Sequence, residues 1–570
     1  MRSPLAALPL VCAALGAAQT APAQPAIAAV ENNFSYTLPG LPNYGIAQGS
    51  IFVIFGANLA NTSTGLQAAP LQTTLDGVSV QVTVGGSETQ ALLYYVMPNQ
   101  VAGVLPSSTP VGSGQMIVTN NGQASSPSPI TVVQSVFGIV TSACDITFCA
   151  AAFDANFNPL SDVNAANPGD LIVLYGTGAG PISTNDAVTP PVQNLTEIPI
   201  EVDIGGVPGT VLYHGRSGYP GLDQINVTVP EGVSGCNVSI VVVSSGLVSN
   251  TAFIPVSTPT QGRNCTNLVP GVVRSSVTQL EGSVVNTGMI NIGRSVLAPP
   301  PVGTDSQTLT DDQANAVFNR YTGGTPAQPL SVSIGGGGSQ FVSLESCLVQ
   351  TSFTPASNSP APSPTTNAVL RATAASGVTE TQINIDAGPA INFSDSVAQG
   401  SISITPSGYY DEGLGCTGAA ACPPLFLSPS GGTISINNGK GGPDVGPFVV
   451  QMNVAALLVW SNMLQLPSTL DRAQGLTLTW TGGNPTGVAE IIATSSANTA
   501  DGTVSARLYC EVPNSAGQFT IPASALLALP PGSGQLSIGA NDQSPAFTAQ
   551  GLDGGVVNVG VNDQLGVTFR

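Results

Sequence analysis

One imidazole serves the whole 570-residue chain, that of His214. A Ser–His–acid relay would have to use it. Ser217 lies close by in HGRSGYPG. That string is not the G-x-S-x-G elbow, and the strand-turn-helix setting of the elbow is missing. His214 therefore reads as a loop histidine between two strands. Paired carboxylates are the second option. Asp411, Glu412 and Asp444 fall near Tyr409 and Tyr410. Glycoside hydrolysis needs two such groups roughly 5–10 Å apart, one of them held protonated. Among 31 Asp+Glu some must neighbour an aromatic ring, so a solvated loop is the simpler reading. The third option is calcium at DANFNPLSD, Asp154 to Asp162. The glycine of an EF-hand turn is absent and Pro159 stands there, which favours a turn held by Asx hydrogen bonds. The glycines of IGGVPG and TGAGP lie between strands, with no following helix or lysine to cradle a phosphate. No catalytic residue, metal site or cofactor is assigned. Tyr213 and Tyr219 flank a Gly-rich loop, and with Tyr409 and Tyr410 they form the ligand-contact candidates. Trp480 shares a face with Leu476 and Leu478 and reads as core, as does Trp460 at the end of an apolar run.

The elements that must carry these residues are written twice. GSIFVIFGANLA from Gly49 is answered by GDLIVLYGTGAG from Gly169. VSVQVTVGG is answered by IEVDIGG, and ALLYYVMPNQVAGVLP by TVLYHGRSGYPGLDQINVTVP. Each copy closes alike, with MIVTNNGQASSPSPITV and SIVVVSSGLVSNTAFIPV. A block of about ninety residues of short strands is the size of one small β-sandwich. Val78, Val80, Val82 and Val84 alternate with polar residues, the period of a half-buried strand. Ile51 to Phe55 is continuously apolar, as in a strand covered on both faces. Asn121-Gly122 suits a tight hairpin turn.

The expected fold is all-β, with tandem Ig-like β-sandwich domains and a further C-terminal β-sandwich region. Residues 1–23 read as a secretory signal, with Arg2 ahead of a short Ala/Leu-rich run. Repeat one occupies 48–136 and repeat two 167–257, joined by a linking hairpin at 137–166. Residues 258–367 read as linker and irregular β structure, 368–460 as a β domain and 461–570 as a C-terminal Ig-like domain. A single helix is expected, Asp311 to Tyr321, capped by Thr310 with Gln313 completing a capping box.

Eight cysteines remain once Cys12 leaves with the signal, and an even count in an exported chain favours disulfides. Cys144 with Cys149 and Cys416 with Cys422 are local pairs. Cys236 with Cys265 and Cys347 with Cys510 would complete the set, one of many possible connectivities. No C-x-x-C pair occurs, which argues against a zinc site. Charged residues are only 7% of the chain and the net charge is −20. A cationic face for nucleic acid or anionic membranes is therefore not available. No stretch after the signal is apolar enough to span a bilayer.

The spaced Gly, Pro and aromatic positions over residues 45–257 resemble a repeat family of secreted acidobacterial proteins related to immunoglobulin-like IPT/TIG domains. INIDAGPAINF, ISINNGKGGPDVGPF, LTLTWTGG and FTIPASALLALPPG resemble the all-β C-terminal part that often accompanies those repeats. His214 departs from the pattern, standing where a small residue is usual, and so does NFNPLSD. The resemblance implies Ig-like sandwiches and carries over no catalytic residue. The expectation is a secreted, non-catalytic binding, adhesion or structural protein of the cell surface or extracellular space. Its partners would be extracellular polysaccharide or surface protein. The alternative is a carbohydrate-active enzyme with an acidic site in residues 270–450.

Overall fold

The computed structural model describes residues 24–144, 147–258, 260–266, 278–298, 308–324, 330–334, 342–355, 381–395, 398–417, 422–500 and 502–570. The signal expected at 1–23 lies outside them. The chain is all-β, with one short α-helix among the described residues, Ala523–Leu527.

The duplicated pattern folds twice in the same way. Strand β1 (Ala26–Asn32) leads in. The first repeat then contributes β2 (Ile51–Ala57), β3 (Val78–Val84), β4 (Leu92–Met97), β5 (Gln100–Val104), β6 (Gly112–Asn120) and β7 (Ser128–Val133). One sheet runs β1-β2-β5-β4, and the other carries β7-β6-β3. The second repeat contributes β8 (Leu171–Thr177), β9 (Ile200–Ile204), β10 (Val207–Arg216), β11 (Asp223–Thr228), β12 (Gly235–Ser244) and β13 (Ala252–Val256). Its pairings β8-β11-β10 and β9-β12-β13 copy the first set. Even the irregularity recurs: β4 bulges between Leu93 and Tyr95, and β10 between Val211 and Tyr213.

The period-two reading of β3 is direct. Val78, Val80, Val82 and Val84 enter the core while Ser79, Gln81 and Thr83 do not. Asn121 and Gly122 both take positive φ, +47° and +84°, and turn the chain between paired Asn120 and Gln123. Ile51 to Ile54 are buried on both faces, as continuous apolar character requires.

From Thr278 onward one hydrophobic core dominates. A long sheet is built from β14 (Val284–Ala298), β15 (Leu309–Thr322), β16 (Cys347–Pro355), β17 (Thr381–Asn384), β18 (Tyr410–Cys416), β19 (Val488–Asn498), β20 (Gly502–Pro513), β21 (Gly532–Gln543) and β22 (Leu552–Phe569). The order is β16-β20-β19-β21-β22-β14-β15-β17, with β18 also on β15. Strands β14 and β22 run parallel, Asn291 opposite Asn558. A four-stranded and a three-stranded sheet cover the inner face, bringing Phe393, Ile436, Trp460 and Trp480 onto it. Both tryptophans are core, as read from the sequence.

The helix expected at Asp311 to Tyr321 is instead strand β15. Ala314, Ala316 and Phe318 point into the core at period two, while Gln313 and Asn315 face out. Pairing with β14 along its whole length overrides the local capping signal.

Three expected disulfides are present: Cys236–Cys265, Cys347–Cys510 and Cys416–Cys422. Cys149 is disulfide-bonded as well. The side chain of Cys144 lies outside the described residues.

Candidate functional site

The polar chemistry of the repeats concentrates where they meet. Arg216 closes β10 and Asp223 opens β11, and the two stand opposite in register. Both side chains are fully buried, and they form an ion pair. Arg216 Nη2 donates to the carbonyls of Gly49 (3.1 Å) and Gly180 (2.9 Å). Asp223 Oδ2 accepts from the amides of Gly178 (2.7 Å) and Ala179 (2.8 Å). Burial pushes the Asp223 carboxyl up from its ordinary value, while Arg216 and the two amides oppose that. The contact to Gly49 crosses from one repeat to the other. Gly49 has φ +72°, and a Cβ there would collide with the guanidinium.

The loop between β10 and β11 seats on the first repeat beside this pair. Gly221 (φ +68°) lies against Ile51 and Val104, so a side chain at 221 would meet both. Thr177 Oγ1 donates to the Gly221 carbonyl (2.6 Å) and accepts the Ile51 amide (2.8 Å). Tyr94, the bulged residue of β4, donates its hydroxyl to the Pro220 carbonyl (2.7 Å). On the other flank Ser107 gives both its amide and its hydroxyl to Asp186, each at 2.8 Å. The joint is thus a continuous hydrogen-bonded contact. Leu212, the bulged residue of the second repeat, is exposed where its counterpart Tyr94 is buried.

A second joint ties repeat two to the large sheet. Ser343 N donates to the Asn237 carbonyl (2.9 Å), and Ser343 Oγ accepts the Asn237 amide (3.0 Å). Phe253 packs with Val342, Leu348 and Tyr509 next to Cys347–Cys510.

The sequence-based candidates distribute as follows. Tyr219 tips the joint loop and is 66% exposed. Tyr213 is half-buried, its hydroxyl donating to the carbonyl of Arg216 (2.6 Å) and lying 3.2 Å from that of Gln193. Tyr409 is exposed at 47%. Tyr410 is a correction. It is fully buried, its hydroxyl donates to Gly388 O (2.6 Å) and accepts from Ala387 N (3.2 Å), and its ring meets Phe318 edge-on. Tyr409 lies exposed in the turn before β18 while Tyr410 is buried at the start of the strand, so the two do not form one platform.

His214 Nε2 lies 2.8 and 2.9 Å from the carbonyls of Leu195 and Ile198. Two acceptors there fix a proton on that nitrogen and pin the ring. Asp411 and Glu412 are successive on β18 and project oppositely, both into solvent. Asp444 is engaged by Arg320 (3.2 Å) and the Asp386 amide (3.0 Å). Asp154 accepts from the amides of Asn156 and Asn158, both at 2.9 Å, and from the Asn158 side chain. These bonds hold its carboxyl below the usual range and form an Asx turn. Among the described residues one group of three potential ligands is close-set, Asp162 with Cys236 and Cys265. Its two sulfurs are bonded to each other.

Sequence reasoning missed Arg216 and Asp223. Their signal was faint but present: one of 11 cations and a carboxylate bracketing an otherwise uncharged Gly/Pro loop.

No protein family matches the chain, and no curated protein matches it. Solved structures of tandem modules do resemble it. A segment of Sidekick-1 immunoglobulin domains 1–5 shares 11% identity, covering 96% of this chain and all of that one (100%), with a TM-score of 0.11. Titin domains A168–A170 share 10%, covering 76% of this chain and 99% of that chain, with a TM-score of 0.13. SGBP-B from a complex xyloglucan utilization locus in Bacteroides uniformis shares 11%, covering 52% of this chain and 66% of its own length, with a TM-score of 0.13. At TM-scores this low the likeness carries no argument; the all-β architecture, with each repeat built of paired sheets, stands on the strand pairings themselves.

Proposed function

We propose that the chain is an exported, non-catalytic binding scaffold of the cell surface or extracellular space. Two Ig-like repeats of the IPT/TIG kind are held in a set orientation on a larger β body. The observation that carries this reading is the buried Arg216–Asp223 pair at the repeat junction. Its hydrogen bonds to Gly49, Gly178, Ala179 and Gly180 are lost if the repeats swing apart or the loops open. A buried ion pair is a poor source of net stability; what ties this one to geometry is its set of directional hydrogen bonds to backbone groups. Extracellular placement is supported by the disulfides and by the sequence resemblance to secreted repeats. No helix among the described residues is long and apolar enough to cross a membrane. Exposed Tyr219 stands beside the fixed joint, where a rigid aromatic presents contact area at low entropic loss.

Small-angle scattering tests the scaffold. One fixed particle shape is expected for the parent, and a broadened distribution of shapes for Arg216→Met. A parent already flexible at the junction would sink the proposal. Turnover on a polysaccharide panel, abolished by Asp411→Asn or Glu412→Gln, would replace it with the enzyme reading.

A further inference from the structure

The outward face of the long sheet holds a ring of amides around a bare floor. In register across β15, β14, β22 and β21 stand Asn315, Asn291, Asn558 and Gln543. Two residues along, the row reads Gln313, Gly293, Gly560, Asn541. The next reads Asp311, Ser295, Asn562, Gly539. The interleaved residues Ile290, Ile292, Val557, Val559 and Val561 fill the core on the other side, so these rows face outward.

Gly293 and Gly560 form the floor. A Cβ at Gly293 would meet only the Gly560 carbonyl, at 3.8 Å, so the space above it is open. The floor is two strands wide, about 5 Å, and the rows on either side lie about 7 Å along the strands. Asn558 Nδ2 donates to Asn291 Oδ1 (2.8 Å), and Asn291 Nδ2 donates to Asn315 Oδ1 (2.9 Å). This chain fixes the amide orientations and ends in an orphan. Asn558 is only 7% exposed, and its Oδ1 has no hydrogen-bond partner among the described residues. Asn558 and Asn562 are the two same-face neighbours of Gly560 on β22. A buried amide oxygen left without a donor is destabilising; a turn of the Asn558 side chain toward the open floor would let a ligand hydroxyl supply the missing donor.

We infer that this amide ring is a binding site for a neutral saccharide unit, most simply one residue of a polysaccharide. The inference rests on the reading of the chain as a binding scaffold and gives that scaffold a ligand class. Sugar hydroxyls both donate and accept, as amides do, and they radiate from a ring that can lie flat on backbone. Among the described residues no cation borders the floor to neutralise a phosphate or carboxylate. Asp311 at its corner and the net charge of −20 repel anions. A peptide strand would need a free sheet edge, and this is a sheet face.

The test is calorimetric titration of the intact protein with cellohexaose, xylohexaose and mannohexaose, with an oligogalacturonate as the anionic probe. At least one neutral hexasaccharide is expected to bind and the oligogalacturonate to fail. Gly293→Val fills the open space with a residue suited to strands, and Asn562→Ala trims an exposed rim amide. Each is expected to weaken binding by about tenfold or more, with unchanged circular dichroism. Binding unaffected by both variants overturns the amide ring as the site while leaving the scaffold intact. Failure of all three neutral probes, or equal binding of oligogalacturonate, overturns the inference outright. The scattering experiment on the repeat junction is independent of every one of these outcomes.

Discussion

Glu31 offers the sharpest stability prediction. It lies on β1, directly opposite Val53 of β2, and is 0% exposed. Neither carboxyl oxygen has a hydrogen-bond partner among the described residues. Burial pushes its pKa from an ordinary 4.5 to about 8. Between those values the folded chain binds a proton that the unfolded chain releases. Stability from the protonated group is therefore complete below the lower value and is lost as pH rises through the upper one. At about 1.4 kcal/mol per pH unit, the loss is about 3 kcal/mol by pH 7 and about 5 kcal/mol by pH 9. Glu31→Gln keeps the shape and cannot ionise. The variant should match the parent near pH 4.5 and exceed it by about 3 kcal/mol at pH 7. Urea unfolding at pH 4.5, 7 and 9 reads the gap, and exchange of the β1 and β2 amides assigns the transition to the first repeat. A gap independent of pH, or a variant less stable than the parent at pH 9, would refute the reasoning.

Other outcomes follow from the same structure. Asp223→Asn leaves Arg216 buried without its counter-charge and should lower stability by about 3–5 kcal/mol; the double change Arg216→Met with Asp223→Leu should not restore it, because Gly178 N, Ala179 N, Gly49 O and Gly180 O lose their partners too. Chemical denaturation of the two variants beside the parent decides this. Serine at Cys347 and Cys510 opens a loop of sequence separation 163, and should lower stability by about 2–5 kcal/mol, read as a drop in the midpoint that reductant reproduces in the parent. Tyr410→Ala removes a buried ring packed on Phe318 and should be destabilising by about 3–5 kcal/mol. Tyr219→Ala should stay within about 0.5 kcal/mol of the parent, so matched thermal melts separate the core tyrosine from the exposed one.

How far the chain could be read in advance depended on the range of each signal. The valine alternation of β3 and the Asn121-Gly122 turn are local, and both hold. The apparent helix at Asp311 to Tyr321 shows the limit. Thr310 and Gln313 satisfy a local capping pattern, yet the same stretch alternates at Ala314, Ala316 and Phe318. The contest was settled by β14 and β22, the latter more than two hundred residues away in sequence. Tyr410 was misjudged for a related reason, since exposed Asp411 and Glu412 suggest a surface, whereas the packing of its ring on Phe318 of β15 buries it.

Composition, duplication and strand period were decided by the sequence alone, because each residue reports its own preference for water or core and these repeat along the chain. The Arg216–Asp223 joint, the burial of Glu31 and the amide ring around Gly293 and Gly560 were decided only by tertiary structure. Each arises where segments distant in sequence bury a polar atom together, and no single segment carries the information about what will surround it.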